Sequence, residues 1–99
     1  MVVKLEYREA RTGDQYVIRY ARHSDGIFRV FCPRHPKNPF DTSVLKCHLY
    51  SNGEVCIDHS KFAPRTLDQA KACAYLWMES YSQYVRSGVF PATGGRVNV

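Results

Sequence analysis

Cys56 and His48 are the two side chains whose types and spacing could do nucleophilic chemistry. A cysteine acts as its thiolate, and a nearby imidazolium lowers the thiol pKa toward neutrality. A histidine can also donate to a developing oxyanion. The two residues flank Ser51-Asn52-Gly53, a turn sequence. Strand faces alternate with a period of two, so Leu45, Cys47 and Leu49 share a face before the turn, and Val55 and Ile57 share one after it. A two-residue loop at Asn52-Gly53 would mix apolar and polar faces. A three-residue loop pairs Leu49 with Val55 and Cys47 with Ile57, with glycine at the left-handed position that closes such a loop. This register sets His48 opposite Cys56, and Lys46 opposite Asp58, on the face away from the core.

Each of these residues also has a plainer role. Cys56 could be an inert small residue at a hairpin, and His48 could make a structural hydrogen bond to backbone. Asp58 could help an incoming amine lose its proton, or pair with Lys46. Asn52 and Gly53 support the site by shaping the turn. Tyr50 and Trp77 read as packing residues.

A different chemistry competes for Cys56. Cys32-x-x-His35 and Cys56-x-x-His59 are two matching pairs. Together they could close a tetrahedral zinc site, although such short patterns also arise by chance. No other cofactor is expected.

The elements that must position these residues follow from periodicity. Val3, Leu5 and Tyr7 alternate with Lys4, Glu6 and Arg8, a strand pattern. Tyr16, Ile18 and Tyr20 alternate with Val17, Arg19 and Ala21 as a second strand, and Ile27 to Cys32 form a third. Arg11-Thr12-Gly13-Asp14 and Ser24-Asp25-Gly26 are the turns of an antiparallel meander. The three prolines from Pro33 to Pro39 predict a loop through Thr42. Ser43 to Tyr50 predicts a further strand, leading into the hairpin, and Asp58 to Arg65 is irregular.

The clearest helix begins at Thr66, whose spacing to Gln69 suits a capping box. Leu67, Ala70, Ala74, Trp77, Tyr81 and Tyr84 make one apolar stripe, with Cys73 a small core residue. Gly88 and Pro91 mark the stop. The expected architecture is α+β: an antiparallel meander of four to five strands packed on one long C-terminal helix. Residues 1–91 form one domain, and 92–99 a tail in which Gly94-Gly95 reads as a flexible end.

The chain has 99 residues, 44% hydrophobic and 13% aromatic, with a formal charge of +5. That suffices for one core without metal or disulfide. There is no apolar run of membrane-spanning length and no secretory leader pattern, which implies a cytoplasmic protein with four reduced thiols. The basic residues are scattered, with no Lys/Arg run and no nucleic-acid signature, so a mildly basic surface is expected rather than a nucleic-acid partner.

Ser51-Asn52-Gly53-Glu54-Val55-Cys56-Ile57-Asp58 resembles the Gly-x-x-Cys-Leu-Asp segment of the ubiquitin-conjugating enzymes, in which the cysteine carries ubiquitin as a thioester. His48, Tyr50, Gly53 and Cys56 are similar to the His-x-Tyr-x-x-Gly-x-x-Cys pattern of the family's bacterial branch. Trp77, Tyr81, Tyr84, Ser87-Gly88 and Phe90-Pro91 resemble that branch's closing helix and the turn after it. Pro39-Phe40 resembles its proline-rich loop. His48 occupies the position of the family's oxyanion-supporting asparagine, and Lys46 and Cys47 replace the histidine and proline before it. The resemblance covers most of the chain from Ile27 to Pro91. It implies a minimal conjugating-like fold, with Cys56 as acyl carrier and His48 beside it. It also implies two partners, a ubiquitin-like protein and an activating enzyme. A non-catalytic binding module on the same scaffold is the alternative.

Overall fold

A computed structural model of the chain describes residues 2–58 and 62–91. Three strands, β1 (Val2–Arg8), β2 (Gln15–Arg22) and β3 (Phe28–Arg34), form an antiparallel sheet in the order β1-β2-β3. A single helical turn, α1 (Val44–Cys47), and a long helix, α2 (Leu67–Ser87), complete the elements among the described residues. The α+β class, the meander and the packing helix agree with the sequence expectation. The sheet has three strands rather than four or five.

Alternation governs the sheet. Val3–Tyr20, Leu5–Ile18 and Tyr7–Tyr16 are direct cross-strand pairs, so the odd positions of β1 and the even positions of β2 face the helix. Tyr16, Ile18, Tyr20, Phe28, Val30 and Cys32 are all buried there. β3 runs past its expected end at Cys32 because the register shifts. Arg19 pairs with Phe31 and Val17 with Arg34, so Cys32 and Pro33 together lie opposite Ile18. A bulge of this kind leaves one residue out of the ladder, which suits a proline with no N–H to give.

Helix α2 forms as its sequence signals require. The Thr66 hydroxyl accepts from the Gln69 N–H at 3.1 Å, while the Gln69 side chain reaches back to the Arg65 N–H at 2.8 Å. This is a capping box displaced by one residue at its return contact. At the other end Gly88 takes φ 78°, and its N–H bonds the Tyr84 carbonyl at 2.8 Å. A Cβ there would also sit 3.1 Å from the Phe40 ring. The buried face carries Ala70, Cys73, Ala74, Trp77, Tyr81 and Tyr84. Burying each large side chain stabilises the fold by about 1.5–3 kcal/mol before entropy is counted. No helix among the described residues is long and apolar enough to cross a membrane.

The expected strand from Ser43 to Tyr50 is replaced by α1. Alternation would bury Leu45 with Cys47, yet Leu45 is 85% exposed while Cys47 is 2% exposed. The half-buried Val44 and buried Cys47 are three residues apart, a helical spacing. Asp41 starts the turn by accepting from the Ser43 N–H at 2.8 Å, and His48 ends it in the left-handed region at φ 57°. Lys46 therefore lies on a helical turn, not on a strand opposite Asp58.

Candidate functional site: the 48–56 hairpin

The tight turn is the one the three-residue reading requires. Leu49 and Val55 form a bridge, the Tyr50 N–H bonds the Glu54 carbonyl at 2.8 Å, and the Gly53 N–H bonds the Tyr50 carbonyl at 2.9 Å. Gly53 takes φ 89°, where a side chain would strain the backbone. The Asn52 carboxamide accepts from the Glu54 N–H at 2.9 Å, a local Asx turn. Both supporting residues thus act on the loop's shape. The hairpin docks on the free edge of β3: the Val55 N–H bonds the Val30 carbonyl, and the Cys32 N–H bonds the Gly53 carbonyl, each at 2.8 Å. Two isolated bridges take the place of further full strands.

His48 and Cys56 are brought together through the backbone. The Cys56 N–H donates to the His48 carbonyl at 2.9 Å. Their side chains take different partners. The His48 ring packs on Phe90 with centroids 4.5 Å apart. Burial there holds its pKa below the usual 6.5, so the imidazole is neutral at pH 7. The Cys56 thiol donates to the Tyr50 hydroxyl at 3.6 Å.

Tyr50 is therefore more than packing. It is 45% exposed, and its contact with Cys56 raises its own pKa, keeping the hydroxyl protonated. Once Cys56 ionises, that hydroxyl can turn and donate to the sulfur. Parity could have found this contact, since Tyr50 is two residues from His48. The Phe90 contact carries no local signal, because it depends on where α2 ends.

The other three thiols are buried. Desolvation pushes Cys32 up to about 12 and Cys73 up to about 11, and raises Cys47 as well. Cys47 Sγ lies 3.4 Å from the Ser43 carbonyl, and the Cys47 carbonyl accepts from the Trp77 indole N–H at 3.2 Å. Cys56 is half-buried, and of the four it is the thiol that solvent reaches.

The residues of the alternative zinc site have other partners. Cys32 donates to the Arg34 carbonyl at 3.1 Å. His35 Nδ1 lies 2.8 Å from the Pro36 carbonyl, which can only accept, so that nitrogen carries the hydrogen. The Tyr81 hydroxyl is 3.3 Å from the same nitrogen. His59 lies outside the described residues, as does the Gly94-Gly95 tail. Among the described residues no group of three His, Cys, Asp or Glu side chains is arranged to hold a metal ion.

A groove of about 410 Å³ beside the hairpin is lined by Lys37, Asn38, Cys47, Leu49, Tyr50 and Tyr81. A second, of about 360 Å³, lies across Tyr50 and is lined by Arg29, Asn52 and Glu54. Tyr50 lines both. Comparison with protein-family models, with curated proteins and with solved structures finds no match for this chain.

Proposed function

We propose that this chain is a minimal ubiquitin-conjugating-like domain in which Cys56 carries the C-terminal acyl group of a ubiquitin-like protein. The observation that supports the reading is the contact of half-buried Cys56 with exposed Tyr50 on a tight hairpin, in a chain whose other three thiols are buried. Charging is a thioester exchange. The Cys56 sulfur forms a new S–C bond as the S–C bond to the activating enzyme's cysteine breaks, and the proton lost by Cys56 replaces the one its partner needs. Discharge reverses the roles. An amine nitrogen forms the C–N bond, the S–C bond to Cys56 breaks, and the amine gives up a proton overall. Tyr50 stabilises the Cys56 thiolate in both steps by donating to it.

The test is a charging assay with a bacterial activating enzyme and its cognate ubiquitin-like protein. The expected result is an adduct removed by reductant, lost in Cys56→Ala and kept in Cys73→Ala. No adduct, where a positive control charges, would assign the scaffold to non-catalytic protein binding instead.

A further inference from the structure

We infer that the outer face of the sheet, opposite the helix, binds single-stranded nucleic acid. This goes beyond the hairpin chemistry and uses different residues. In the sequence the basic residues look scattered, but cross-strand pairing gathers them. Lys4 lies directly opposite Arg19, Arg19 opposite Phe31, and Phe31 bridges Glu54, which makes one row across the sheet. Ala21–Arg29 and Val17–Arg34 flank this row on the same face, and Arg8–Gln15 ends it at the β1 side. Lys4, Arg8, Arg19, Arg29 and Arg34 thus share one face, with Glu6 and Glu54 as its carboxylates.

Two features separate this face from an ordinary solvated surface. Lys4 and Arg19 are like charges at directly opposite positions of β1 and β2, an arrangement that costs stability unless an anion bridges them. Among the described residues Lys4, Arg8, Arg19 and Arg34 have no ion-pair partner. The Arg29 pairing with Asp25 leaves its Nη1 buried without a hydrogen bond. The second feature is a cation–π contact. The Arg19 guanidinium lies over the Phe31 ring, 4.3 Å from its centroid, at the centre of the cations. A guanidinium over an aromatic ring makes a cationic, π-faced platform suited to a base, while the surrounding cations meet phosphates. An acidic peptide would answer the charge but offers no π-face to this aromatic pair. Base stacking also needs unpaired bases, which selects single strands over a duplex.

The experiment is fluorescence anisotropy with a labelled oligothymidine of about twelve nucleotides. A matching duplex and a polyglutamate peptide serve as competitors. Saturable binding is expected, with a log–log salt slope of about −2 to −3 if three to four phosphates are neutralised. Lys4→Gln with Arg19→Gln should weaken it at least tenfold. Arg65→Gln with Lys71→Gln, away from this face, should leave it within twofold. Phe31→Leu should weaken oligothymidine more than polyglutamate. If the Lys4/Arg19 variant does not fold, amide shift mapping on the unmodified protein decides, with perturbations expected along Lys4, Arg19 and Phe31. Equal loss in the Arg65/Lys71 variant, equal competition by polyglutamate, shifts centred on α2, or no saturable binding at 50 mM salt would each overturn the inference.

Discussion

The indole N–H of Trp77, in the middle of the buried face of α2, donates to the carbonyl of Cys47, at the end of α1, across 3.2 Å. The central core residue is thus also the clamp that fixes the approach to the hairpin. Trp77→Phe would keep most of the apolar contact but leave a buried carbonyl without its donor. It should destabilise the fold by about 2–4 kcal/mol in urea unfolding. It should also speed alkylation of Cys47 relative to Cys32 and Cys73, because the clamp releases Cys47 first. An equal rise at all three thiols would point to global unfolding instead.

Thiol reactivity should separate the four cysteines. At pH 7.5 iodoacetamide should modify Cys56 at least tenfold faster than Cys32, Cys47 or Cys73, read by timed mass spectrometry. Burial keeps those three protonated and covered. In the proposed chemistry the Tyr50 hydroxyl turns from acceptor to donor, so Tyr50→Phe should slow Cys56 modification about threefold at this pH, on the scale of one exposed hydrogen bond. Its melting temperature should stay within a degree or two, because the side chain is 45% exposed.

His48 should make stability depend on pH below neutrality. Its pKa is held below 6.5 by burial in the folded chain, so the unfolded chain binds the proton first as pH falls. The contribution of neutral His48 is therefore full above about pH 7 and declines as pH drops below 6.5. His48→Asn can keep the left-handed backbone and removes the titration. The difference in unfolding free energy between the two proteins should change from pH 7 to pH 5 and be flat from pH 7 to pH 8. A flat difference throughout would contradict the burial of this ring.

Asp14 and Arg86 tie the β1–β2 turn to the last turn of α2 through two contacts of 2.6 and 2.9 Å. The Arg86 guanidinium holds the Asp14 carboxyl at about 2, against 3.8 for an unperturbed one. The stabilisation is present above pH 3.8 and is lost as pH falls through about 2. Arg86 is half exposed, so solvent screening limits the effect. Asp14→Asn should lower the melting temperature by about 2–4 °C at pH 7 and much less near pH 2. Equal losses at both pH values would mean the aspartate acts through turn geometry alone.

Much of the scaffold is local physics and was readable from residue order. The alternation of Val3, Leu5 and Tyr7, and of Tyr16, Ile18 and Tyr20, needs only the two-residue pleat and one buried face. Thr66, Gln69 and Gly88 bound α2 because capping and positive φ are satisfied within a few residues. Asn52-Gly53 defines the turn for the same reason, and with it the Leu49–Val55 register.

Tertiary structure decided the rest. Val44 to Cys47 has a short apolar pattern that fits either period, and only the Trp77 clamp and the exposed place of Leu45 select the helical turn. Pro33 remains in β3 because a bulge against Ile18 excuses its missing N–H, a fact about a partner strand. Whether the His48 side chain meets Cys56 depends on Phe90, beyond the end of α2. The gathering of Lys4, Arg19 and Arg34 onto one face depends on pairing across two hairpins. Residue types and spacing placed Cys56 on a hairpin. Its neighbours in space, Tyr50 rather than the imidazole of His48, were set by long-range packing that no local period encodes.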